Sequence, residues 1–144
     1  PDKWNPTTRE TADRSIPYVV AVALSKGAID FDDFSERRFR DPKILSLMQK
    51  IEVKATDEGN KDWPAAYFFR ITATTKSGQI HAQEVRYAKG HPKNPMSDHE
   101  IEAKFRMLAE PVMGQGAVDQ ALNRLWHLED MSGVRELLGL FALN

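Results

Sequence analysis

The sequence predicts an α+β fold in two layers, with a small antiparallel meander of about three strands packed against helices. Apolar residues recur at helical spacing in the first third of the chain and again in the last third. Between these regions the apolar period changes to two, which is typical of half-buried strands. Segregated helices and strands favour α+β over α/β, and 144 residues suit a single domain over 1–144.

The main helix is predicted to begin near Ser15 and to end at Lys26. Pro17 falls in its first turn, where a missing N–H leaves no hydrogen bond unmade. The body from Val19 to Leu24 is apolar without a break, which predicts burial on most sides. Gly27 is placed to end the helix in a left-handed conformation.

Two further helix starts follow. Asp30 is predicted to cap a short helix that carries Phe31 and Phe34 on one face. Asp41 and Pro42 then form a specific start signal, an N-cap followed by proline at the first helical position.

Three strands are predicted in the middle of the chain. They cover residues 51–55, 66–76 and 79–87, and a hairpin turn at Ser77–Gly78 joins the last two. The apolar parity changes within the third strand, so we expect a bulge near Gln83–Glu84.

The last third is predicted to be helical. Ser97 and Glu100 have the spacing of a capping box. Glycines 114 and 116 separate the helix that follows from another, and Ser132 is placed to cap a final one. The residues of the first of these helices predicted to face inward are Ile101, Phe105, Leu108 and Val112.

Composition excludes several classes of site. The chain has no cysteine, which excludes disulfides and thiolate metal sites. Twenty basic and 21 acidic residues give a formal net charge of −1, without the basic excess typical of nucleic-acid binding. No apolar run approaches the roughly 20 residues of a membrane span. We therefore expect neither a nucleic-acid nor a membrane partner. The start at Pro1 rather than Met leads us to expect that further sequence precedes this chain.

The histidines do not have metal-ligand spacing. A structural or solvated role is favoured for His81, His99 and His127. His91 shares a proline-rich loop with Lys93 and Asn94, and loops carry function more often than cores do. The residues alone still favour a purely structural loop there. A cluster of basic residues is favoured as a solvated helix face, with a carboxylate or a neighbouring subunit as alternative partners; its members are Arg37, Arg38, Arg40 and Lys43.

The first turn of the main helix is the other candidate site. Asp13, Arg14, Ser15 and Tyr18 converge on a helix N-terminus, where N–H groups and the helix dipole favour an anion. Arg14 could pair with a carboxylate through two hydrogen bonds, and Tyr18 could act as a hydrogen-bond donor or general acid–base. The residues alone favour a different interpretation, in which Asp13 and Ser15 are only caps, Arg14 is exposed and Tyr18 belongs to the core.

Three segments carry a family resemblance. They are TRETADRSIPYVVAVAL (8–24), DPKILSLMQKIEV (41–53) and GHPKNPMSDHEIEAKF (90–105). In this order and at this spacing they resemble the C-terminal domain of the MmgE/PrpD family. The family includes 2-methylcitrate dehydratase, cis-aconitate decarboxylase and iminodisuccinate epimerase.

The resemblance implies a lyase that needs neither metal nor cofactor, with an upstream all-helical domain and a smaller α+β lid domain. The lid domain would close over a small polycarboxylate. Tyr18 matches the tyrosine of the family's A-D-x-S-x-x-Y-like run and would line the cleft as a catalytic residue. Arg14 departs from the histidine common in that run, which puts proton transfer there in doubt but not carboxylate binding. We predict Arg14, Ser15 and His91 as substrate-binding residues.

The predicted activity is that of a 2-methylcitrate dehydratase-like hydro-lyase in the longer protein, with the isolated chain inactive. A cis-aconitate decarboxylase-like or iminodisuccinate epimerase-like reaction is an alternative. The partners predicted are the upstream helical domain and a second copy in a homodimer, in the cytoplasm or the mitochondrial matrix. A different alternative is an assembly domain that contacts no substrate, and a third is an independent ligand-binding module.

Overall fold

A computed structural model describes residues 2–141 of the chain. The chain divides into two compact units, Pro1–Lys61 and Asp62–Asn144, called here the first and second unit. The helices of the first unit are α1 (Arg9–Asp13), α2 (Ile16–Lys26), α3 (Glu36–Phe39), α4 (Pro42–Met48) and α5 (Asp57–Lys61). The second unit holds β1 (Phe69–Thr74), β2 (Ile80–Val85), α6 (Asp98–Met113), α7 (Gln115–Leu125) and α8 (Val134–Leu140). Short 3-10 helices cover Asp2–Trp4, Phe31–Phe34 and Leu128–Asp130.

The helix starts and stops predicted for the first unit are confirmed. The Ser15 side chain accepts the N–H of Tyr18 at 3.1 Å and so caps α2. Gly27 ends α2 with a φ of 79°, a conformation that costs glycine nothing because it has no Cβ. Asp30 caps the 3-10 helix that follows, and Asp41 caps α4.

The core of the first unit packs α2 against α1, α3 and α4. Its buried residues are Ala12, Tyr18, Ala21, Val22, Phe39, Ile44 and Met48. Around it lie the partly buried side chains of Trp4, Phe34, Leu45, Leu47 and Ile51. The apolar body of α2 is therefore core, as its composition predicts.

The predicted strand over residues 51–55 is wrong. This segment has no strand pairing, and both backbone groups of Ile51 are bonded elsewhere. The N–H of Ile51 donates to the carbonyl of Met48 at 3.0 Å, and the carbonyl of Ile51 accepts the indole N–H of Trp4 at 3.2 Å. The polar segment after it contains α5.

Strands β1 and β2 form an antiparallel hairpin, so the α+β class is confirmed with two strands rather than three. The register runs without interruption from Phe69 opposite Val85 to Thr74 opposite Ile80, and the predicted bulge is therefore wrong. Without a bulge, Ile80 lies on the opposite face from Phe69 and Val85 and is 69% exposed.

The hairpin has one apolar face and one polar face. Phe69, Ile71 and Val85 lie on the first, and Arg70 bonds Glu84 across the strands on the second at 2.5 Å. Both faces are exposed, since every strand residue except the half-buried Ala73 is accessible. The described residues thus leave the apolar face uncovered.

The helices of the second unit follow the predicted signals in part. The capping box of Ser97 and Glu100 opens α6, as predicted. The side chain of Ser132 does not cap α8, whose N-cap is Gly133, but donates to the carboxylate of Glu136 at 2.8 Å. Residues of α6 predicted to face inward remain about half exposed, among them Ile101, Leu108 and Val112. In contrast, α7 buries Val118, Ala121 and Leu122. Among residues 2–141, no helix combines the length and apolar character that crossing a membrane requires.

Candidate functional site

Ser15, predicted to bind substrate, is fully buried at the start of α2. Its hydroxyl accepts from the backbone of Tyr18 and donates to the carbonyl of Lys3. Both bonds are internal to the chain, and they fix the entry into α2 against the N-terminal segment. The structure therefore gives Ser15 a capping role, which is the interpretation that the residues alone favour.

Tyr18 is also fully buried. Its hydroxyl donates to the backbone carbonyl of Asp33, and its ring lies 6.1 Å from that of Phe34 between centroids. Burial, and secondarily the negative charge of Asp33, raise the pKa of Tyr18 to about 12. The catalytic role of Tyr18 stays a prediction, and it requires the hydroxyl to leave the carbonyl to which it is bonded here.

Arg14 lies just before α2 and is open to solvent, with 69% of its side chain exposed. Its guanidinium pairs with Glu10 at 3.2 Å, in a contact that is exposed on both sides. Exposed pairs of this kind contribute little to stability and exchange readily for another anion. Arg14 is thus the predicted site residue of this unit whose charged group is accessible.

Asp33, a buried carboxylate that is not among the predicted site residues, lies beside α2. The Asp33 side chain is 3% exposed and accepts from Lys26 Nζ at 2.9 Å and from the backbone N–H of Asp30 at 2.9 Å. Arg38 Nε lies 3.8 Å from its second oxygen. Lys26 also binds the carboxylate of Asp30; these hydrogen bonds raise the pKa of Lys26 and lower that of Asp30.

This cluster borders a depression of about 220 Å³ on the first unit. Its lining residues are Tyr18, Val22, Ser25, Lys26, Asp33, Arg38 and Ile44. Lys26 and Arg38 face the carboxylates of Asp30 and Asp33, so the positive charges there are already neutralised. The sequence signal for the cluster is the i, i+3 spacing of the two aspartates, which is that of a capping box.

The basic cluster after the 3-10 helix agrees with the solvated-face interpretation for most of its members. Arg40 pairs with Glu36 at 2.7 Å, and both side chains are about two-thirds exposed. Arg37 lies 3.8 Å from Asp32 and is 83% exposed. Arg38 differs from its neighbours, because its Nε atom is buried without a hydrogen-bond partner beside Asp33.

His91 lies in the second unit, in the loop between β2 and α6. Its ring stacks on Tyr87 with 4.8 Å between centroids, and its Nδ1 accepts the backbone N–H of Lys93 at 3.1 Å. Lys93 Nζ donates to the hydroxyl of Tyr87 at 3.1 Å. The structure thus brings His91 together with Lys93, as the sequence suggested, and adds Tyr87.

The other histidines lie apart from any cluster of ligands. His81 and His99 are exposed on β2 and α6, and Nδ1 of His127 is bonded to the carbonyl of Asn123 at 2.7 Å. Within residues 2–141, no group of three or more histidine or carboxylate side chains has the arrangement of a metal site.

The architecture defines the class of protein, a helix-rich α+β domain. The resembling segments contain the starts of α2, α4 and α6 and part of the polar loop before α6. The chain belongs to the MmgE/PrpD C-terminal domain family, whose match covers residues 1–128.

Relatives include cis-aconitate decarboxylases of Homo sapiens and Mus musculus, 25% and 23% identical over 126 residues, or 88% of this chain and 26% of each relative. The cis-aconitate decarboxylase-like protein oryM of Aspergillus oryzae is 26% identical over 145 residues, or 98% of this chain and 30% of that protein. The chain therefore spans only about a quarter to three tenths of the length of these relatives.

Proposed function

We propose that this chain forms one domain of a lyase that acts on a small polycarboxylate. The observation that carries the proposal is the family match over residues 1–128, together with relatives that are named for decarboxylation of cis-aconitate. Because those relatives are three to four times longer, the remainder of the active site is assigned to a preceding helical domain. The relatives favour a decarboxylation, and dehydration of a 2-methylcitrate-like substrate is the alternative reaction.

Arg14 is the residue of the first unit best suited to contact such a substrate. Its guanidinium is exposed, and a planar fork of donors fits a carboxylate through two parallel hydrogen bonds. The present partner of the Arg14 guanidinium is Glu10, in an ion pair exposed to solvent. Because such pairs contribute little free energy, a substrate carboxylate could replace Glu10 at small cost.

The test uses the polypeptide extended to the length of the relatives and assays it with cis-aconitate and with 2-methylcitrate. Arg14→Gln is expected to raise KM about tenfold or more, because a charge-assisted hydrogen bond to the substrate is lost. Arg37→Gln, which removes another exposed arginine, serves as the matched control and should leave KM unchanged. Absence of turnover with either acid would overturn the proposed activity.

A second candidate function is assembly, and the exposed apolar surfaces of the second unit favour it. Phe69 and Ile71 on the hairpin are 51% and 46% exposed, and Val112 on α6 is 63% exposed. Exposed apolar side chains that share one face of a hairpin can mark an interface with another protein. The expected occupant is a second copy in a homodimer. Analytical ultracentrifugation of Ile71→Thr tests this role, with the neighbouring surface variant Thr72→Ser as the control. A dimer that is equally stable in both variants argues against assembly through this face.

A further inference from the structure

The loop from Tyr87 to Asn94 is held in one conformation by its own hydrogen bonds. The side-chain amide of Asn94 donates to the carbonyl of Tyr87 at 2.9 Å, and the N–H of Gly90 donates to the carbonyl of Asn94 at 2.9 Å. The N–H of Asn94 donates to the carbonyl of His91 at 2.7 Å. Gly90 has a φ of 93°, which a side chain would oppose. The loop is therefore organised before any ligand arrives.

This hydrogen bonding sets the tautomer of the neutral His91 ring. Because Nδ1 accepts the N–H of Lys93, the neutral ring carries its proton on Nε2. Stacking on Tyr87 restrains the ring plane. The ring is half-buried, and within residues 2–141 the structure gives its Nε2–H no hydrogen-bond partner.

Lys93 supplies a positive charge beside this donor. Its ammonium group bonds the hydroxyl of Tyr87 and lies 5.0 Å from the centroid of that ring. No ion pair involves Lys93 in the part of the chain that the structure describes, whereas the nearby Lys89 is neutralised by Glu100 at 2.9 Å. Two N–H bonds of the ammonium group are thus left for another acceptor.

We propose that loop 87–94 is a carboxylate-binding element. Lys93 donates a charge-assisted hydrogen bond to one carboxylate oxygen, Nε2–H of His91 donates to the carboxylate, and Tyr87 positions both side chains. The carboxylate's identity as part of a lyase substrate rests on the proposed function, but the binding of a carboxylate by the loop does not. A preorganised pair of donors loses little conformational entropy on binding, which favours a small rigid polyacid.

The experiment titrates the 144-residue chain with cis-aconitate and follows the ring signals of the four histidines by NMR. The signals of His91 are expected to shift in a saturable manner, while those of His99 and His127 do not. Lys93→Gln is expected to weaken the binding about tenfold, because a charged donor is replaced by a neutral one. Lys76→Gln, in the hairpin turn, is the matched control and should bind like the unchanged chain.

His91→Phe gives a second test, since it keeps an aromatic ring to stack on Tyr87 and removes both nitrogens. Following the shifts of backbone amides in loop 87–94, we expect the binding to weaken in this variant while the fold, checked by circular dichroism, is retained. Equal affinity of the Lys93→Gln variant, or tighter binding of inorganic phosphate than of cis-aconitate, would overturn the proposal. Loop binding without turnover in the longer protein would reject the lyase activity alone, and turnover without loop binding would reject the loop alone.

Discussion

The first turn of α2 and loop 87–94 are both polar segments predicted to contact substrate, and their polar atoms are used differently. At the first turn, the hydroxyls of Ser15 and Tyr18 are buried and bonded to carbonyls of the same unit. In loop 87–94, hydrogen bonds between backbone and side chains fix the conformation. In the described structure, Nε2–H of His91 has no partner, and Lys93 uses one N–H on Tyr87 and keeps two for another acceptor. A polar residue whose bonding capacity is filled internally serves the fold, and a fixed residue with a donor left over is equipped to bind.

The largest expected effect tests the internal bonding of the first unit. Asp33→Ala removes the acceptor of Lys26 and leaves that charge facing Asp30 alone, and we expect a loss of about 3 kcal/mol in the free energy of unfolding. Asp32→Ala, at a side chain that is 65% exposed, should change it by less than about 0.5 kcal/mol. Urea denaturation measures both. Equal losses would mean that burial of Asp33 does not distinguish the two carboxylates.

The next effect concerns Tyr18. Tyr18→Phe removes the hydroxyl but keeps the ring, and we expect a loss of about 1.5 kcal/mol because the carbonyl of Asp33 is left without this donor. Tyr67→Phe, at a residue that is 50% exposed, is the control and should be nearly neutral. In the longer protein, a fall in kcat of about a hundredfold would support proton transfer by Tyr18. Unchanged kcat with lowered stability would leave it a structural residue.

The raised pKa of Tyr18 also predicts a pH dependence. Its ordinary value is 10.0 and its folded value is about 12, so the folded chain holds this proton more tightly than the unfolded chain. The contribution to stability is therefore fully present below pH 10 and is lost as the pH rises toward 12. Between pH 10 and 12, the midpoint temperature of thermal unfolding should fall less steeply with pH for Tyr18→Phe than for the unchanged chain. Identical pH dependence of the two midpoints would contradict the burial of the phenol.

The smallest effect sharpens the description of loop 87–94. Gly90→Ala places a Cβ on a residue with a φ of 93°, and we expect a loss of about 1 kcal/mol and weaker carboxylate binding. Gly116→Ala is the matched control, because Gly116 lies within α7 without a positive φ and alanine favours helix by about 1 kcal/mol. If Gly90→Ala bound cis-aconitate normally, preorganisation of the loop would not matter for binding.

Short sequence signals predict the features of the fold that depend only on residues close together in the chain. A cap depends on residues within one helical turn, so the sequence predicts the caps at Ser15, Asp41 and Ser97 and the helix end at Gly27. The hairpin turn at Ser77–Gly78 is likewise predictable, because it too depends on neighbouring residues only. Family membership was also predictable, since whole segments carry it.

Features that depend on distant partners were not predictable in this way. Alternation at residues 51–55 favoured a strand, but no neighbouring strand exists in the described chain, and Trp4 takes the carbonyl of Ile51 instead. The burial of Asp33 depends on Lys26 and Tyr18, which lie on another helix. The i, i+3 spacing of Asp30 and Asp33 indicates a capping box, but not that Asp33 is enclosed with Lys26.

The bond between the indole of Trp4 and the carbonyl of Ile51 has a consequence for folding kinetics. It joins residues 47 positions apart, near the two ends of the first unit, so it can form only when the segment between them has closed. Closing a segment of that length costs roughly 3 kcal/mol of chain entropy. With Trp63 and Trp126 replaced by phenylalanine, the fluorescence of Trp4 would report this closure alone. The rate of the fluorescence change during refolding would then give the rate at which the first unit, which carries Tyr18 and Asp33, finishes folding.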